Sequence, residues 1–268
     1  MIAKYEQIKC ERQGADGEAL WVTLNNEKMM NALSDTMQKE FLHLLNEIAF
    51  DNSIRCVVLT GAGEKAFSSG GDIELFQSLN HVSGYDFAYA RGNTIQHLMN
   101  YMEKPVIAMV NGYCFAGGME LALCCDFIYA SQNAKFGLLE INIGLLPGWG
   151  GTVRLPRKIP VNKAKEMIYR GEILTAEQAF QWGLVNCVLP SIADLHEAVD
   201  KIVSEITAKP PLALRAAKNV INNSITCDSM EAALAIERGA CSWLLSSEDS
   251  KEGVASFLEK RKPKYKGM

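Results

Sequence analysis

Hydrophobic and polar positions alternate through Leu20-Trp21-Val22-Thr23-Leu24, whereas Cys56-Val57-Val58-Leu59-Thr60 is apolar almost without a break. Alternation predicts a strand, and a short unbroken apolar run predicts a strand buried on both faces. Between them, Met37, Phe41, Leu44, Leu45 and Ile48 recur at helical spacing. They predict a helix from Ser34, which can cap its first turn, to Phe50. Similar signals predict a helix over Tyr85 to Met102, a strand over Pro105 to Val110, a helix from Gly117 to Cys125 and a strand over Phe127 to Ala130. Strands and helices taking turns in this way predict a mainly parallel α/β core. After Ser191 the strand signals stop. Helical patterns follow over Ile192 to Lys209, Pro211 to Asn222, Ser229 to Ser246 and Ser250 to Arg261, with Pro210-Pro211 keeping the first two apart.

Composition narrows the classes. The chain has 268 residues, 48% hydrophobic and 22% charged, which suits a globular protein with a sizeable core. A formal net charge of −4 leaves no broad basic surface for nucleic acid or an anionic membrane. The one basic cluster runs from Lys260 to Lys266. No apolar run reaches the length of a membrane span. The opening Met1-Ile2-Ala3-Lys4-Tyr5-Glu6 resembles neither a secretory leader nor an import presequence, so a cytoplasmic protein is expected. The eight cysteines form no CxxC pair and mostly lie in apolar runs, which predicts reduced core thiols.

Chemistry gathers in three segments. Ala66-Phe67-Ser68-Ser69-Gly70-Gly71-Asp72-Ile73 places glycines where a ligand can approach backbone N–H groups. Asn111-Gly112 through Ala116-Gly117-Gly118-Met119-Glu120-Leu121-Ala122 passes from a strand into a helix, whose first N–H groups are unpaired and carry positive partial charge. In Phe136-Gly137-Leu138-Leu139-Glu140, as around Glu120, an acid sits in apolar company. Burial there disfavours the ionised form and raises the pKa towards the range of a general acid. Two acids meeting at one site also repel when both are ionised, so one retains a proton. Asp126, at the end of the second segment's helix, is assigned to structure. His43, His81, His97 and His196 fall outside all three segments, which argues against a nucleophile–histidine triad. No zinc spacing, P-loop or GxSxG elbow is present, and Gly148-Trp149-Gly150-Gly151-Thr152-Val153 lacks the last glycine of a dinucleotide fingerprint.

Taken in order, these segments resemble the crotonase (enoyl-CoA hydratase/isomerase) superfamily. The likeness continues through Gly144, Pro147-Gly148 and Gly150 to Leu155, through Leu174 to Ala179 with Trp182-Gly183-Leu184-Val185, and through Glu252-Gly253 to Phe257-Leu258-Glu259-Lys260-Arg261. The resemblance implies an α/β fold, a spiral of ββα units over residues 1–195 that holds the active site. Residues 196–268 would then be a helical region for oligomerisation, as a trimer or dimer of trimers. It implies that the N–H groups of Gly71 and Gly117 form an oxyanion hole for an acyl-CoA thioester, and that Glu120 and Glu140 are the two catalytic acids. It further implies contacts to substrate or its CoA portion from Lys28, Ser69, Gly70, Asp72, Ile73, Gly148, Trp149, Phe257 and Lys260. No metal or redox cofactor is expected.

Retention of both acids favours hydration of a trans-2-enoyl-CoA, as in fatty-acid β-oxidation. Family isomerases typically keep only the acid matching Glu140, and family dehalogenases carry an aspartate at the position matching Gly148. The alternatives are double-bond isomerisation, another specialised crotonase reaction, and silent acyl-CoA binding. Three positions depart from the family pattern. Leu138-Leu139 replaces Gln-Pro, Trp149 replaces a small residue, and Asn26-Glu27-Lys28 replaces Arg-Pro-Lys.

Overall fold

The computed structural model describes residues 2–268, apart from the side chains of Asp86, Ala88 and Tyr89. Its strands are β1 Ile8–Gln13, β2 Ala19–Leu24, β3 Cys56–Gly61, β4 Ala66–Ser68, β5 Val106–Val110, β6 Tyr113–Phe115, β7 Phe127–Ser131, β8 Lys135–Gly137, β9 Ile173–Thr175 and β10 Cys187–Leu189. The helices up to the middle of the chain are α1 Asp35–Ala49, α2 Ile73–Gln77, α3 His81–Asp86, α4 Thr94–Tyr101 and α5 Gly117–Cys124. Then follow α6 Gly151–Lys158, α7 Val161–Arg170, α8 Ala176–Gln181, α9 Ile192–Thr207, α10 Pro211–Ser224, α11 Met230–Leu245 and α12 Glu248–Leu258.

Two sheets share the strands in a stepwise manner. The larger has the order β1-β2-β3-β5-β7-β10 and the smaller β4-β6-β8-β9. Each of the pairs β3–β4, β5–β6 and β7–β8 therefore contributes its first strand to the larger sheet and its second to the smaller. The pairings from β2 to β10 and from β4 to β8 are parallel, while β1 and β9 close their edges antiparallel. This is the ββα spiral that the resemblance implies.

Both faces of the larger sheet are covered. Leu20, Val22 and Leu24 of β2 join Met37, Phe41, Leu44, Leu45 and Ile48 of α1 in one core cluster, which also takes in Phe67 and Phe136 of the smaller sheet. Trp21, Cys56, Val58, Ile107 and Met109 point the other way, onto Leu195, Val199 and Val203 of α9. The alternation in β2 thus sorts residues between two apolar layers. The boundary expected at residues 195 and 196 falls inside α9, whose buried side chains cover the sheet.

Three sequence readings need correction. The single helix expected over Tyr85 to Met102 is α3, a π-helical stretch Phe87–Asn93, and α4. The Asn80 side chain accepts from the N–H groups of Val82 and Ser83 and starts α3 earlier than the apolar pattern suggested. The wider π turn shifts the register once, so Phe87 lies 5.3 Å from the Trp149 ring while Ile95 and Met99 remain in the core. The short strands β4, β6 and β8 of the smaller sheet lie in or beside the glycine-rich segments, and the sequence does not predict them as strands because three residues are too few to show a period. Finally, Cys56, Cys114, Cys124 and Cys125 are buried free thiols as expected, but Cys241 is exposed.

The helical C-terminal region is tied to the core by a half-buried ion pair. Asp126 Oδ2 accepts from the Val106 N–H at 2.8 Å and from Lys218 Nζ of α10 at 2.8 Å, and Lys218 also donates to the Lys104 carbonyl at 3.0 Å. The structural role assigned to Asp126 is therefore a junction between β5, β7 and α10. Asp126→Ala leaves an amide and an ammonium without their acceptor, and is expected to cost about 1–3 kcal/mol in urea unfolding. Asp126→Asn, which keeps an acceptor oxygen, is expected to cost less. Equal stability of wild type and the alanine variant would show that α10 is held by other contacts.

Candidate functional site

The first glycine segment and the start of α5 are pressed together. Between β6 and α5 stands Ala116, whose φ of 47° and ψ of −126° turn the chain sharply into Gly117. A non-glycine residue at such a φ is strained by about 1–3 kcal/mol. Bonds on both sides hold it: the Ala116 N–H donates to Gly137 O at 2.8 Å, and its carbonyl accepts from the Glu120 N–H at 3.0 Å. Opposite, Gly70 adopts a φ of 99°, and a Cβ placed on it would lie 2.6 Å from the Ala116 Cβ and 3.1 Å from the Gly117 N. A Cβ on Gly117 would lie 3.6 Å from the Gly71 N. The two amide nitrogens predicted to form the oxyanion hole thus flank one spot, and among the described residues neither N–H donates to a backbone carbonyl.

Gly118 serves packing alone. A Cβ there would meet the Ser68 Cβ and carbonyl at 2.6 Å each, so α5 can approach β4 only with glycine at this position.

Glu120 is 3% exposed on a helix buried all round. Its Oε1 accepts from the Trp149 N–H at 2.8 Å and the Gly151 N–H at 2.7 Å, at the N-terminus of α6. Burial pushes the Glu120 carboxyl up to about 8 against the pull of the Gly151 amide. The charge of Glu140 adds to the rise, while the Trp149 amide and Arg154 oppose it. Glu140 opens a 3-10 turn, Glu140–Ile143, and is half-buried with its Oε2 lacking a hydrogen-bond partner. Burial raises its pKa as well, against its own and the Leu139 backbone N–H. The structure therefore places two carboxyls of raised pKa within electrostatic reach of each other, both in apolar surroundings.

Other expected residues are distributed around this centre. Ser69 donates from its N–H to Met30 O at 2.9 Å and from Oγ to Met29 O at 3.2 Å, which seats the exposed turn carrying Lys28 beside Gly70. The Asp72 side chain accepts from the Glu74 N–H at 3.0 Å and caps α2, with Ile73 exposed beside it. Gly148 is exposed, and a Cβ there would meet only Leu146 O at 3.7 Å. Trp149 presents its N–H to Glu120, while its indole packs in the core. Phe257 and Lys260 are exposed at the end of α12. Among the described residues, no hydrogen bond or ring contact joins Phe257 or Lys260 to the two acids.

Two buried asparagines escaped the sequence reading. Asn31, at a φ of 54°, donates from Nδ2 to Ala62 O and Ala66 O, and its Oδ1 accepts from the Asn26 N–H. Asn111 donates from Nδ2 to Gly61 O at 2.9 Å and Gly63 O at 2.7 Å. Together they fix the connection between β3 and β4 from both sides. In the sequence Asn111-Gly112 reads as the start of the second glycine segment, but nothing local marks either asparagine side chain as buried. Arg154 was likewise matched only as part of a motif; it bonds the buried Gln96 and lowers the Glu120 pKa.

The model of the enoyl-CoA hydratase/isomerase family matches residues 15–268. The chain belongs to that family. It is 38% identical over 247 residues to the short-chain-enoyl-CoA hydratase of Clostridium acetobutylicum, covering 92% of this chain and 94% of that protein. It is 39% identical over 251 residues to the 2,3-dehydroadipyl-CoA hydratase of Escherichia coli, covering 92% and 95%. Its structure is similar to the crystal structure of enoyl-CoA hydratase from Bacillus anthracis, with a TM-score of 0.93, 36% identity, and coverage of 98% of this chain and 100% of that one. Among the described residues, no helix of this family member is long and apolar enough to cross a membrane.

A pKa raised by folding stabilises the protein fully below the unfolded value and loses that contribution as pH rises through the folded value. For Glu120 the loss runs from about 4.5 to about 8. Glu120→Gln retains an oxygen for the two amides and has no charge to bury. It is expected to unfold like wild type at pH 5, and to be more stable by about 1 kcal/mol or more at pH 8.5 in denaturant titrations. The same difference at both pH values would contradict a buried ionisable carboxyl.

Proposed function

We propose that this hydratase-type enzyme adds water reversibly and syn to the double bond of a trans-2-enoyl-CoA, giving a (3S)-3-hydroxyacyl-CoA. What supports the reading is a pair of carboxyls of raised pKa, Glu120 and Glu140, together with two neighbouring backbone N–H groups, of Gly71 and Gly117, that donate to no backbone carbonyl among the described residues. The Gly71 and Gly117 N–H groups polarise the thioester carbonyl, which makes C3 electrophilic and stabilises the enolate formed on attack. Each such donor contributes about 3 kcal/mol of barrier lowering. The thioester itself is the electron sink, so the chemistry asks for no metal or redox cofactor.

Water between the carboxyls gives its proton to Glu120 as its oxygen bonds to C3, and Glu140 gives a proton to C2. One proton shared by the pair is what this sequence needs. The amides on Glu120 Oε1 and the nearby Arg154 pull towards the ionised form of Glu120 against a burial that pushes its carboxyl up to about 8, so the ionised base is populated as pH rises towards that value, and the unpartnered Oε2 of Glu140 leaves that carboxyl able to carry a proton. Lys28, Ser69, Gly70, Asp72, Ile73 and Gly148 are proposed to line the entry of the acyl-CoA.

In the same reading, Phe257 and Lys260 meet the adenine end of a CoA bound to a neighbouring copy. Exposed apolar residues on α10 and α11, including Ile221 at 57% and Trp243 at 50%, support burial between copies as a trimer or dimer of trimers. Fatty-acid degradation in the cytoplasm fits this activity.

NMR of crotonyl-CoA incubated with the enzyme in deuterated water is expected to show a 3-hydroxyacyl product carrying deuterium at C2. Double-bond migration without a hydroxyl would replace hydration by isomerisation. Glu140→Gln is expected to lower kcat by roughly 10²–10⁴ while the dissociation constant for a saturated acyl-CoA stays within a few fold. Full activity of that variant would remove Glu140 from the mechanism. Light scattering is expected to give the mass of three or six copies, and a monomer at micromolar concentration would overturn the assembly.

A further inference from the structure

Trp149 is the only side chain in Gly148-Trp149-Gly150-Gly151, the turn whose Trp149 and Gly151 N–H groups hold Glu120. The Thr152 hydroxyl ties the ends of the turn together by donating to Pro147 O at 2.8 Å, and within the four residues the indole is the one side chain through which the turn packs on its surroundings. The ring is 7% exposed and tilted against Phe87, with centroids 5.3 Å apart, and Phe87 meets Phe76 edge-on at 5.6 Å. Beneath the ring lies Gly92, in the π-helical stretch. A Cβ on Gly92 would fall 2.5 Å from the Trp149 Nε1, 2.6 Å from Cδ1 and 2.8 Å from Cε2. The φ of Gly92 lies outside the left-handed range, so its backbone conformation does not demand glycine; the indole does.

We propose that Gly92 is a positioning residue for Glu120: the notch it leaves seats the Trp149 indole, and the seated indole fixes the turn whose amides hold the carboxylate. Phe87 closes the other side of the seat. The π-helical register sets both contacts, because it offers Phe87 and Gly92 to the same ring. The catalytic consequence rests on the reading of Glu120 as the base that activates water, whereas the positioning stands on the contacts alone.

Gly92→Ala, Trp149→Ala and the double variant form the test. Alanine favours a helix over glycine, so Gly92→Ala works with folding of the segment. Its added methyl displaces the indole, and misplacing a catalytic carboxylate is expected to lower kcat for crotonyl-CoA about tenfold with KM changed by less than about threefold. In the Trp149→Ala background the methyl has room, and the same substitution is expected to cost less than about twofold.

A second readout needs no turnover. The Glu120 carboxyl, faced by Glu140, Arg154, Cys124 and the two amides, is titrated by isotope-edited infrared spectroscopy with Glu120→Gln as the blank. Weakening the amide bonds moves its titration to higher pH in Gly92→Ala, and the double variant titrates like Trp149→Ala. An equal kcat loss in both backgrounds, or an unmoved titration in Gly92→Ala, overturns the proposal. Should wild type hydrate no enoyl-CoA, the proposed activity fails while the titration still decides the positioning.

Discussion

An ionised carboxylate in the centre of an apolar helix costs several kcal/mol unless donors surround it. Glu120 meets that cost with two backbone N–H groups at the start of α6, and the protein's other peculiarities near the site follow from keeping those groups in place. The amides must come from a turn tight enough to present two N–H groups to one oxygen, which requires the small residues of Gly148 to Gly151. Such a turn has few side chains to hold it, so a large one, Trp149, is sunk into the core. The residual imbalance between burial and donation leaves the carboxyl titrating near 8, where a proton is easily exchanged.

The opposite wall of the site is rigid for a different reason. Ala116 is held at an unfavourable φ by its bonds to Gly137 and Glu120, and Gly70 fits beside it only for want of a side chain. Asn31 and Asn111 tie the strand-to-strand connection to the same region through buried carbonyls. These asparagines replace the backbone partners that a regular sheet would have supplied. Donors that converge on a reacting atom need not reorganise during reaction, which is the source of their effect.

Much of this was legible in the chain. The helix from Ser34 and the strands at Cys56, Pro105 and Phe127 carry patterns strong enough to survive tertiary packing, and the order of the three glycine-rich segments identified the family. What was hidden depended on contacts between distant residues. The π turn at Phe87–Asn93 has no signature in local periodicity, and its contact with Trp149 joins residues far apart in the chain. The three-residue strands of the smaller sheet are too short to alternate visibly. Asn31 resembled any polar loop residue, because its burial arises only when Ala62 and Ala66 fold over it.

The division of labour between backbone and side chain has a consequence for how such a protein diversifies. In the proposed reaction, the groups that polarise the thioester are peptide N–H groups of Gly71 and Gly117, which no single substitution can delete without a proline. The groups that decide where protons go are two side chains, replaceable one codon at a time. Drift therefore erodes the choice of reaction before it erodes the capacity to stabilise an enolate. A descendant that lost Glu120 or Glu140 would inherit an intact electrophile-activating cradle, ready to acquire a new outcome from whichever side chain next faced it.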